Sequence, residues 1–228
     1  NELVEICGIL NGTTNYILTR MIKSKLSFDQ ALSEAQEKGY AERDPSADVD
    51  GHDACRKICI LSSLAFGRHI YPSQVETRGI RDVTLSDVAY ARSGGMVLKL
   101  LGRSRKLSDG KVGIFVSPQR VDTECPWASV EDVFNGIMVR GAALGDTMFY
   151  GRGAGAAPTA SAVVTDIVAT LRDGAGSFAP VFTAATAENC ASSAAFTCRR
   201  YVRSALSAAA LTDKLGELAA LDGGAYIT

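Results

Sequence analysis

Histidine is scarce in this sequence, and long apolar runs are absent. Only His52 and His69 occur among 228 residues, which argues against a histidine-ligated zinc site and against a Ser-His-Asp triad. No apolar segment approaches the roughly 20 residues of a membrane-spanning helix, and the first residues lack the form of a signal peptide. We therefore expect no metal, no membrane partner and no histidine-based hydrolase chemistry.

An excess of one charge sign is also missing. Lysine and arginine total 24 against 25 acidic residues, a formal net charge of −1, so the basic face that nucleic-acid binding requires is not expected. The six cysteines form no C-x-x-C pair, and Cys55 and Cys59 are interpreted as small core residues of a protein in the reducing cytoplasm. The chain also begins without a methionine, which suggests a piece of a longer protein.

Apolar periodicity predicts several helices. Helices are predicted over 11–25, over 27–38 with a capping box at Ser27 and a terminating Gly39, and over 51–66. Shorter patterns predict helices over 85–92 and over 160–171, the latter with Pro158 near its first turn.

The middle of the chain has the texture of β-structure. Strands are predicted over 75–80, 96–107, 111–121, 132–139 and 143–150, with a hairpin turn at Ser108-Asp109-Gly110. The predicted fold class is therefore α+β, a mostly antiparallel sheet with helices on one face.

Charge concentrates in one stretch, GYAERDPSADVDGHDACRK, from Gly39 to Lys57. Asp50, Asp53 and Lys57 are spaced to share one helical face, and the loop before them carries Glu42, Asp44 and Asp48. The simple interpretation is a surface ion pair between Asp53 and Lys57, worth about 0.3–0.5 kcal/mol. The alternative is a site where carboxylates bind an ammonium group and a lysine exchanges a proton.

Two further segments combine glycine with short polar residues. Asn11-Gly-Thr-Thr-Asn15 opens a predicted helix, and such a pattern is usually only a cap. Gly151-Arg-Gly-Ala-Gly155 lies between a predicted strand and a predicted helix, where glycines let backbone N–H groups approach an anion. No second strand follows that helix, so the chain carries no complete dinucleotide-binding unit of its own.

These three segments, in this order, resemble the homoserine dehydrogenase family. The likeness rests on Gly8-Ile-Leu-Asn-Gly-Thr-Thr-Asn-Tyr-Ile-Leu18, on the acidic stretch ending at Lys57, and on Gly151-x-Gly-Ala-Gly-x-x-Pro-Thr-Ala160. It implies NAD(P)-dependent interconversion of L-homoserine and L-aspartate 4-semialdehyde, in the biosynthesis of threonine, methionine and isoleucine.

The resemblance also implies roles for single residues. Lys57 matches the family lysine that exchanges a proton with the substrate oxygen, and Glu42 and Asp53 match carboxylates that position the substrate. Asp48 is expected to reach the substrate amino group.

Three other positions follow from the same likeness. Thr13 and the backbone at Tyr40 match further substrate contacts, and Gly155 matches a contact to NADP or NAD. Most of the cofactor-binding surface would belong to an N-terminal nucleotide-binding domain that these residues lack.

The resemblance divides the chain at residue 172. Residues 1–172 would form the substrate-binding and dimerisation domain, with a final helix that packs on the nucleotide-binding domain, and the protein would be a homodimer through its sheet. Residues 173–228 would be a linker and a truncated or degenerate ACT-like tail, since 200–203 and 215–218 loosely resemble the start of such a domain. A disordered tail is the alternative.

Three interpretations of the function remain. The leading one is the substrate-binding and dimerisation region of a homoserine dehydrogenase. On this interpretation these 228 residues alone are predicted to lack dehydrogenase activity, because a second family lysine and the nucleotide-binding fingerprint are not among them. A non-catalytic dimerisation module derived from the family is one alternative. Another enzyme acting on a semialdehyde or hydroxy acid is the second, and it predicts that Lys57→Ala leaves homoserine oxidation intact.

Overall fold

The structure is a computed structural model that describes residues 1–173, 182–184, 186–196, 201, 203, 204, 206 and 210. The chain divides into a compact unit from Asn1 to Ala195 and a second unit from Phe196 to Thr228. The predicted ACT-like similarity at 200–203 and 215–218 lies largely outside the described residues, so the architecture below is that of the first unit.

Six α-helices occur in the described part of this unit. They are α1 (Gly12–Ser24), α2 (Phe28–Glu37), α3 (Ser46–Val49), α4 (His52–Phe66), α5 (Leu85–Ser93) and α6 (Ala156–Asp173). Of these, α3 was not predicted, and α6 begins four residues earlier than expected, with Pro158 in its first turn, where a missing N–H costs no intrahelical bond.

Local capping explains where the first two helices begin and end. The Asn11 side chain accepts a hydrogen bond from the Thr14 backbone N–H at 2.8 Å, which caps α1. The capping box predicted at Ser27 is confirmed, with Gln30 as its partner, and Gly39 has the positive φ of 72° expected after a helix.

Nine strands, of 2 to 11 residues each, lie in the described part of the chain. They are β1 (Leu3–Ile9), β2 (Arg68–His69), β3 (Glu76–Thr77), β4 (Met96–Lys106), β5 (Val112–Asp122), β6 (Phe134–Gly141), β7 (Gly145–Arg152), β8 (Thr183–Ala184) and β9 (Cys190–Ala191). Seven of them form one sheet in the order β3-β5-β4-β1-β6-β7, with β9 also on β5, while β2 and β8 pair separately. The long pairs are all antiparallel, so the predicted α+β class is confirmed.

The strand β1 was missed by the sequence analysis, although it lies at the centre of the sheet. It pairs with β4 on one side and β6 on the other, and its last five residues are all buried. Because both faces are covered, the segment LVEICGI lacks the polar–apolar alternation by which a half-buried strand is recognised. β1 ends at Ile9, and only two residues separate it from the start of α1 at Gly12.

The main hydrophobic core lies between the sheet and the helices. Ile6, Leu98, Leu100 and Ile114 from the sheet pack in one cluster with Ile17, Leu18 and Met21 of α1 and Ile58 of α4. The two α4 cysteines, Cys55 and Cys59, belong to this cluster and are 3% exposed, as expected of small core residues. This packing holds the N-terminal ends of α1 and α4 in place against β1.

A lysine is also buried in this unit. Lys99 of β4 is 2% exposed, and its Nζ donates to Asn15 Oδ1 at 3.2 Å and to the carbonyl of Val130. Asn15 Nδ2 in turn donates to the carbonyls of Val130, Asp132 and Phe134. The pair therefore ties α1 to the segment that leads into β6. Burial lowers the pKa of Lys99 to about 8.

The substitution Lys99→Met tests this burial through pH. Glu131 and Asp132 raise the pKa of Lys99 and Lys23 lowers it, but burial dominates. Between pH 8 and the ordinary lysine pKa of about 10.4, the unfolded chain holds a proton that the folded chain has lost, so rising pH favours folding. Across this range, we expect the free energy of unfolding of the wild-type chain to rise by up to about 3 kcal/mol relative to that of Lys99→Met.

Urea denaturation of both chains at pH 7.5, 9 and 10.5 measures this gain. The control is Lys111→Met, which removes an exposed lysine beside the β4–β5 turn and should stay at a constant offset from wild type. Parallel curves for Lys99→Met and wild type would contradict the depressed pKa.

Candidate active site

Asn11 lies where β1 ends and α1 begins, and its side chain joins three segments. Its oxygen caps α1 through the Thr14 N–H, which fixes the orientation of the carboxamide. Its Nδ2 then donates to Asp48 Oδ1 at 2.6 Å and to Asp53 Oδ2 at 2.9 Å. Two carboxylates from α3 and α4 are thus held side by side by one buried amide, which is 5% exposed as a residue.

Lys57 is held beside these carboxylates by two acceptors. Its Nζ lies 2.7 Å from Asp53 Oδ2, one helical turn earlier in α4, and donates to the Leu10 carbonyl at the end of β1 at 3.1 Å. An ammonium group has three hydrogens, and among the described residues no third acceptor is present. The side chain is 47% exposed, so the remaining hydrogen is accessible to a small molecule.

Asp48 has an electrostatic environment unlike that of a surface carboxylate. Burial raises its pKa, and the negative charges of Asp53 and Glu42 raise it further, while the Asn11 hydrogen bond and the charge of Lys57 oppose this. A cation bound at this position would stabilise the ionised form of Asp48. The cluster therefore favours a positively charged ligand.

Glu42 lies in the loop between α2 and α3, close enough to Asp48 for its charge to act there. The residue is exposed, and its backbone carbonyl accepts a hydrogen bond from Gln36 Nε2 at 2.9 Å. The loop is thus attached to α2 while the Glu42 carboxylate borders the cluster.

Thr13 in the first turn of α1 contacts Tyr40 in the loop that follows α2. The Thr13 hydroxyl donates to the Tyr40 carbonyl at 2.7 Å, and the Tyr40 ring packs edge-on against Tyr16 at 5.0 Å between centroids. The hydroxyl hydrogen of Thr13 is used in this bond, so Thr13 Oγ1 and the Tyr40 carbonyl oxygen can each act only as acceptors for a ligand.

Two aspartates of the acidic stretch, Asp44 and Asp50, form contacts outside the cluster of Asp48, Asp53 and Lys57. The prediction that Asp50 shares a helical face with Asp53 and Lys57 is wrong, because Gly51 has a φ of 85° and α4 begins after it. Asp50 instead makes a two-bonded ion pair with Arg81, each bond 2.8 Å long. Asp44 accepts from Ser46 in the turn that begins α3.

The glycine-rich turn lies at the N-terminus of α6. Gly155 has a φ of 120°, which favours glycine, and its carbonyl accepts from the Thr159 N–H at 3.1 Å. No contact among the described residues joins Gly155 directly to Lys57 or the carboxylates. Of the seven predicted site residues, Asp48, Asp53 and Lys57 are therefore linked directly or through Asn11. Thr13 is bonded to Tyr40, Glu42 borders Asp48, and Gly155 lies apart.

Sequence reasoning missed the two groups that organise the site. Asn11 was interpreted as a helix cap only, and the Leu10 carbonyl has no side-chain signal at all. A cap residue with both a donor and an acceptor, placed before the motif Gly-Thr-Thr-Asn, is the signal that could have indicated Asn11.

In the described part of the chain, no cluster of three acidic, cysteine or histidine side chains could hold a metal ion, and no helix is long and apolar enough to cross a membrane.

The fold and the arrangement of Asp48, Asp53 and Lys57 define a class of protein. It is an α+β domain whose carboxylates suit a small cationic substrate and whose lysine can exchange a proton with that substrate.

Comparison with known proteins specifies the family. The family model described as homoserine dehydrogenase matches residues 1–168. A homoserine dehydrogenase from Synechocystis sp. is 51% identical over 175 residues, covering 74% of this chain and 40% of that protein. The chain belongs to the homoserine dehydrogenase family, a family of NAD(P)-dependent oxidoreductases.

Solved structures agree with this assignment. The S. aureus homoserine dehydrogenase is 45% identical with a TM-score of 0.72, and the match covers 76% of this chain and 43% of that one. A hyperthermophilic archaeal homoserine dehydrogenase in complex with NADPH is 32% identical with a TM-score of 0.63, covering 79% and 50%. The chain spans about 40% of the length of the curated relatives it matches.

The substitution Asn11→Ala tests the bridge between the two carboxylates. The Asn11 hydrogen bond lowers the pKa of Asp48, so its removal should raise that pKa above the wild-type value. Carboxyl-carbon NMR titration of the chain measures the change. Loss of the α1 cap should also cost about 1 kcal/mol in the free energy of unfolding.

Asn11→Ser is the matched control, because a serine oxygen still caps α1 while its short hydroxyl cannot reach both carboxylates. We expect the raised Asp48 pKa in both variants but the loss of stability mainly in Asn11→Ala. An Asp48 pKa that is the same in all three chains would show that Asn11 does not hold the carboxylates.

Proposed function

We propose that this chain is the substrate-binding and catalytic region of a homoserine dehydrogenase that interconverts L-homoserine and L-aspartate 4-semialdehyde. The observation that carries the proposal is the buried Asn11 amide, which holds Asp48 and Asp53 together beside Lys57. A surface ion pair does not need such a bridge. The reaction belongs to amino-acid biosynthesis, on the route to threonine, methionine and isoleucine.

The acceptor groups are suited to the substrate's ammonium group. Asp48 provides a partly buried carboxylate, and Glu42 and Asp53 add negative charge near it. Thr13 Oγ1 and the Tyr40 carbonyl oxygen, already joined to each other, add neutral acceptors. Together these five groups bind and orient the amino end of homoserine, with Asp53 shared between the substrate and Lys57.

Lys57 handles the proton of the reaction. A bound nicotinamide would supply the hydride acceptor for the oxidation of homoserine, which also releases a proton from the hydroxyl group. Lys57 in its amine form accepts that proton, and in the reverse direction its ammonium form donates it to the aldehyde oxygen. Asp53 and the Leu10 carbonyl hold Nζ so that one N–H or the lone pair points to the substrate oxygen.

The glycine-rich turn is suited to a contact with NADP or NAD. Among the described residues, a Cβ on Gly155 would meet only the Pro158 ring, at 3.6 Å, so the backbone there is open to a ligand, and the N-terminus of α6 favours an anion. We assign Gly155 to this contact. The nucleotide-binding domain proper would come from the remainder of a longer protein.

The exposed surface of α6 supports such a neighbour. Val163, Val164, Ile167, Val168 and Leu171 form a stripe of side chains that are 41% to 80% exposed, which is unusual for five apolar residues on one helix. We propose that this stripe packs on the nucleotide-binding domain, and that residues 1–172 form the catalytic domain with 173–228 as linker and tail.

The location of the protein is also a proposal. Cys7, Cys55, Cys59, Cys125 and Cys190 are free thiols, which supports a reducing compartment such as the cytoplasm.

The substitution Lys57→Met tests the catalytic proposal in the full-length gene product that contains this chain. We expect kcat for homoserine-dependent NADPH formation to fall by a factor of about 10² to 10⁴, because a general acid–base contributes that much. Steady-state kinetics measures the loss. The 228-residue chain alone should show no activity, since it provides only part of the cofactor site.

Lys111→Met, at the exposed β4–β5 turn, is the control and should retain wild-type kcat. Unchanged homoserine oxidation in Lys57→Met would favour another enzyme activity, and a full-length product without any activity would favour a non-catalytic module.

We also propose a homodimer formed through the sheet. The strand β7 is an edge of the sheet and leaves Phe149 and Tyr150 64% and 58% exposed. Sedimentation equilibrium should give twice the mass of one chain, and Phe149→Asp should shift the equilibrium to the monomer. A wild-type monomer at micromolar concentration would contradict this.

A further inference from the structure

Two of the segments singled out in the sequence, the start of α1 and the glycine-rich turn, approach the same side chain. That side chain is Asn135 of β6, which lies opposite Gly151 of β7 in the sheet register. Neither periodicity nor the resemblance to a family drew attention to Asn135.

On one side, the carboxamide of Asn135 lies against the glycine-rich turn. A Cβ built on Gly153 would be 1.9 Å from Asn135 Nδ2 and 3.1 Å from Cγ. Any residue other than glycine at 153 would therefore displace either the amide or the turn. Gly153 has a steric reason to be glycine that is separate from ligand binding.

On the other side, the carboxamide lies near the first residue of α1. A Cβ on Gly12 would be 2.7 Å from the Val133 carbonyl oxygen and 3.5 Å from Asn135 Oδ1. The segment before β6 and the first residue of β6 are themselves fixed to α1, since Asn15 donates to the carbonyls of Val130, Asp132 and Phe134. The amide thus fills the space between the first turn of α1 and the turn before α6.

The oxygen of this amide is poorly satisfied. Asn135 Oδ1 is buried and has no hydrogen-bond partner among the described residues. A buried acceptor without a partner lowers stability, and an apolar side chain of similar shape would avoid that cost. The contribution of Asn135 to the fold is therefore the volume of its side chain and not a hydrogen bond from Oδ1.

We propose that Asn135 is a positioning residue that fixes the spacing between the first turn of α1 and the glycine-rich turn. This inference rests on the proposed function, in which the first segment contacts homoserine through Thr13 and the second contacts the nicotinamide cofactor through Gly155. Asn135 touches neither reactant. It acts by keeping the two segments at one separation, and a misplacement of about 1 Å in such a geometry can cost a factor of 10² in rate.

The test compares Asn135→Ala with Asn135→Leu in the full-length gene product. Alanine empties the space, whereas leucine keeps a branched side chain there without polar atoms. We expect kcat to fall by a factor of about 10 to 10² in Asn135→Ala and to stay near wild type in Asn135→Leu. The dissociation constant of homoserine, measured by calorimetry, should be unchanged in both.

A second measurement does not depend on activity. Trypsin can cut after Arg152, directly before Gly153, and a turn that has lost its spacer should be cut faster. We expect faster cleavage at Arg152 in Asn135→Ala than in wild type or Asn135→Leu. Equal cleavage rates in all three proteins, or a kcat that alanine does not lower, would overturn the proposal.

The substitution Gly153→Ala gives an independent check by coupling. Alone it should lower kcat and speed cleavage at Arg152, because its methyl group displaces the amide. Combined with Asn135→Ala it should do less harm than the two single effects together, since the space is then free. Strict additivity would overturn the proposal.

Absence of dehydrogenase activity in every protein, with the expected cleavage pattern, would refute the proposed function and leave the spacing role standing.

Discussion

One carboxamide holds the site together. Asn11 uses its oxygen to cap α1 and its nitrogen to hold Asp48 and Asp53, so the same side chain determines where a helix begins and where two carboxylates lie. Because the amide is buried, each of these bonds is costly to lose. The charge of Lys57 beside them offsets part of the repulsion between the carboxylates, and an ammonium ligand would offset more.

The position of this carboxamide depends in turn on the central strand. β1 ends at Ile9, and the next two residues provide the Leu10 carbonyl for Lys57 and the Asn11 amide for the carboxylates. The core between the sheet, α1 and α4 keeps these ends together. The antiparallel sheet is therefore the rigid scaffold of the site, while Asp48 of α3 and Asp53 and Lys57 of α4 supply its charged groups.

Features with a local cause could be predicted from the sequence. The capping box at Ser27, the glycine after α2 and the helical spacing of Asp53 and Lys57 all depend on residues within one or two turns of each other. The acidic stretch was identified as a site largely through its resemblance to a family. Features with a long-range cause could not be predicted. β1 lacks alternation because it is buried on both faces, and one positive φ at Gly51 turns Asp50 away toward Arg81. The contact of Asn135 with Gly153, eighteen residues later, has no local signature.

The most direct measurement is the titration of Asp48 by carboxyl-carbon NMR with and without L-homoserine. If the carboxylates held by Asn11 receive the ammonium group of the substrate, the pKa of Asp48 falls when homoserine binds. 4-Hydroxybutanoate, which has the same hydroxyl and carboxylate groups but no ammonium group, should leave that pKa unchanged or raise it. An Asp48 pKa that does not respond to saturating homoserine, or that falls equally with 4-hydroxybutanoate, would contradict the account.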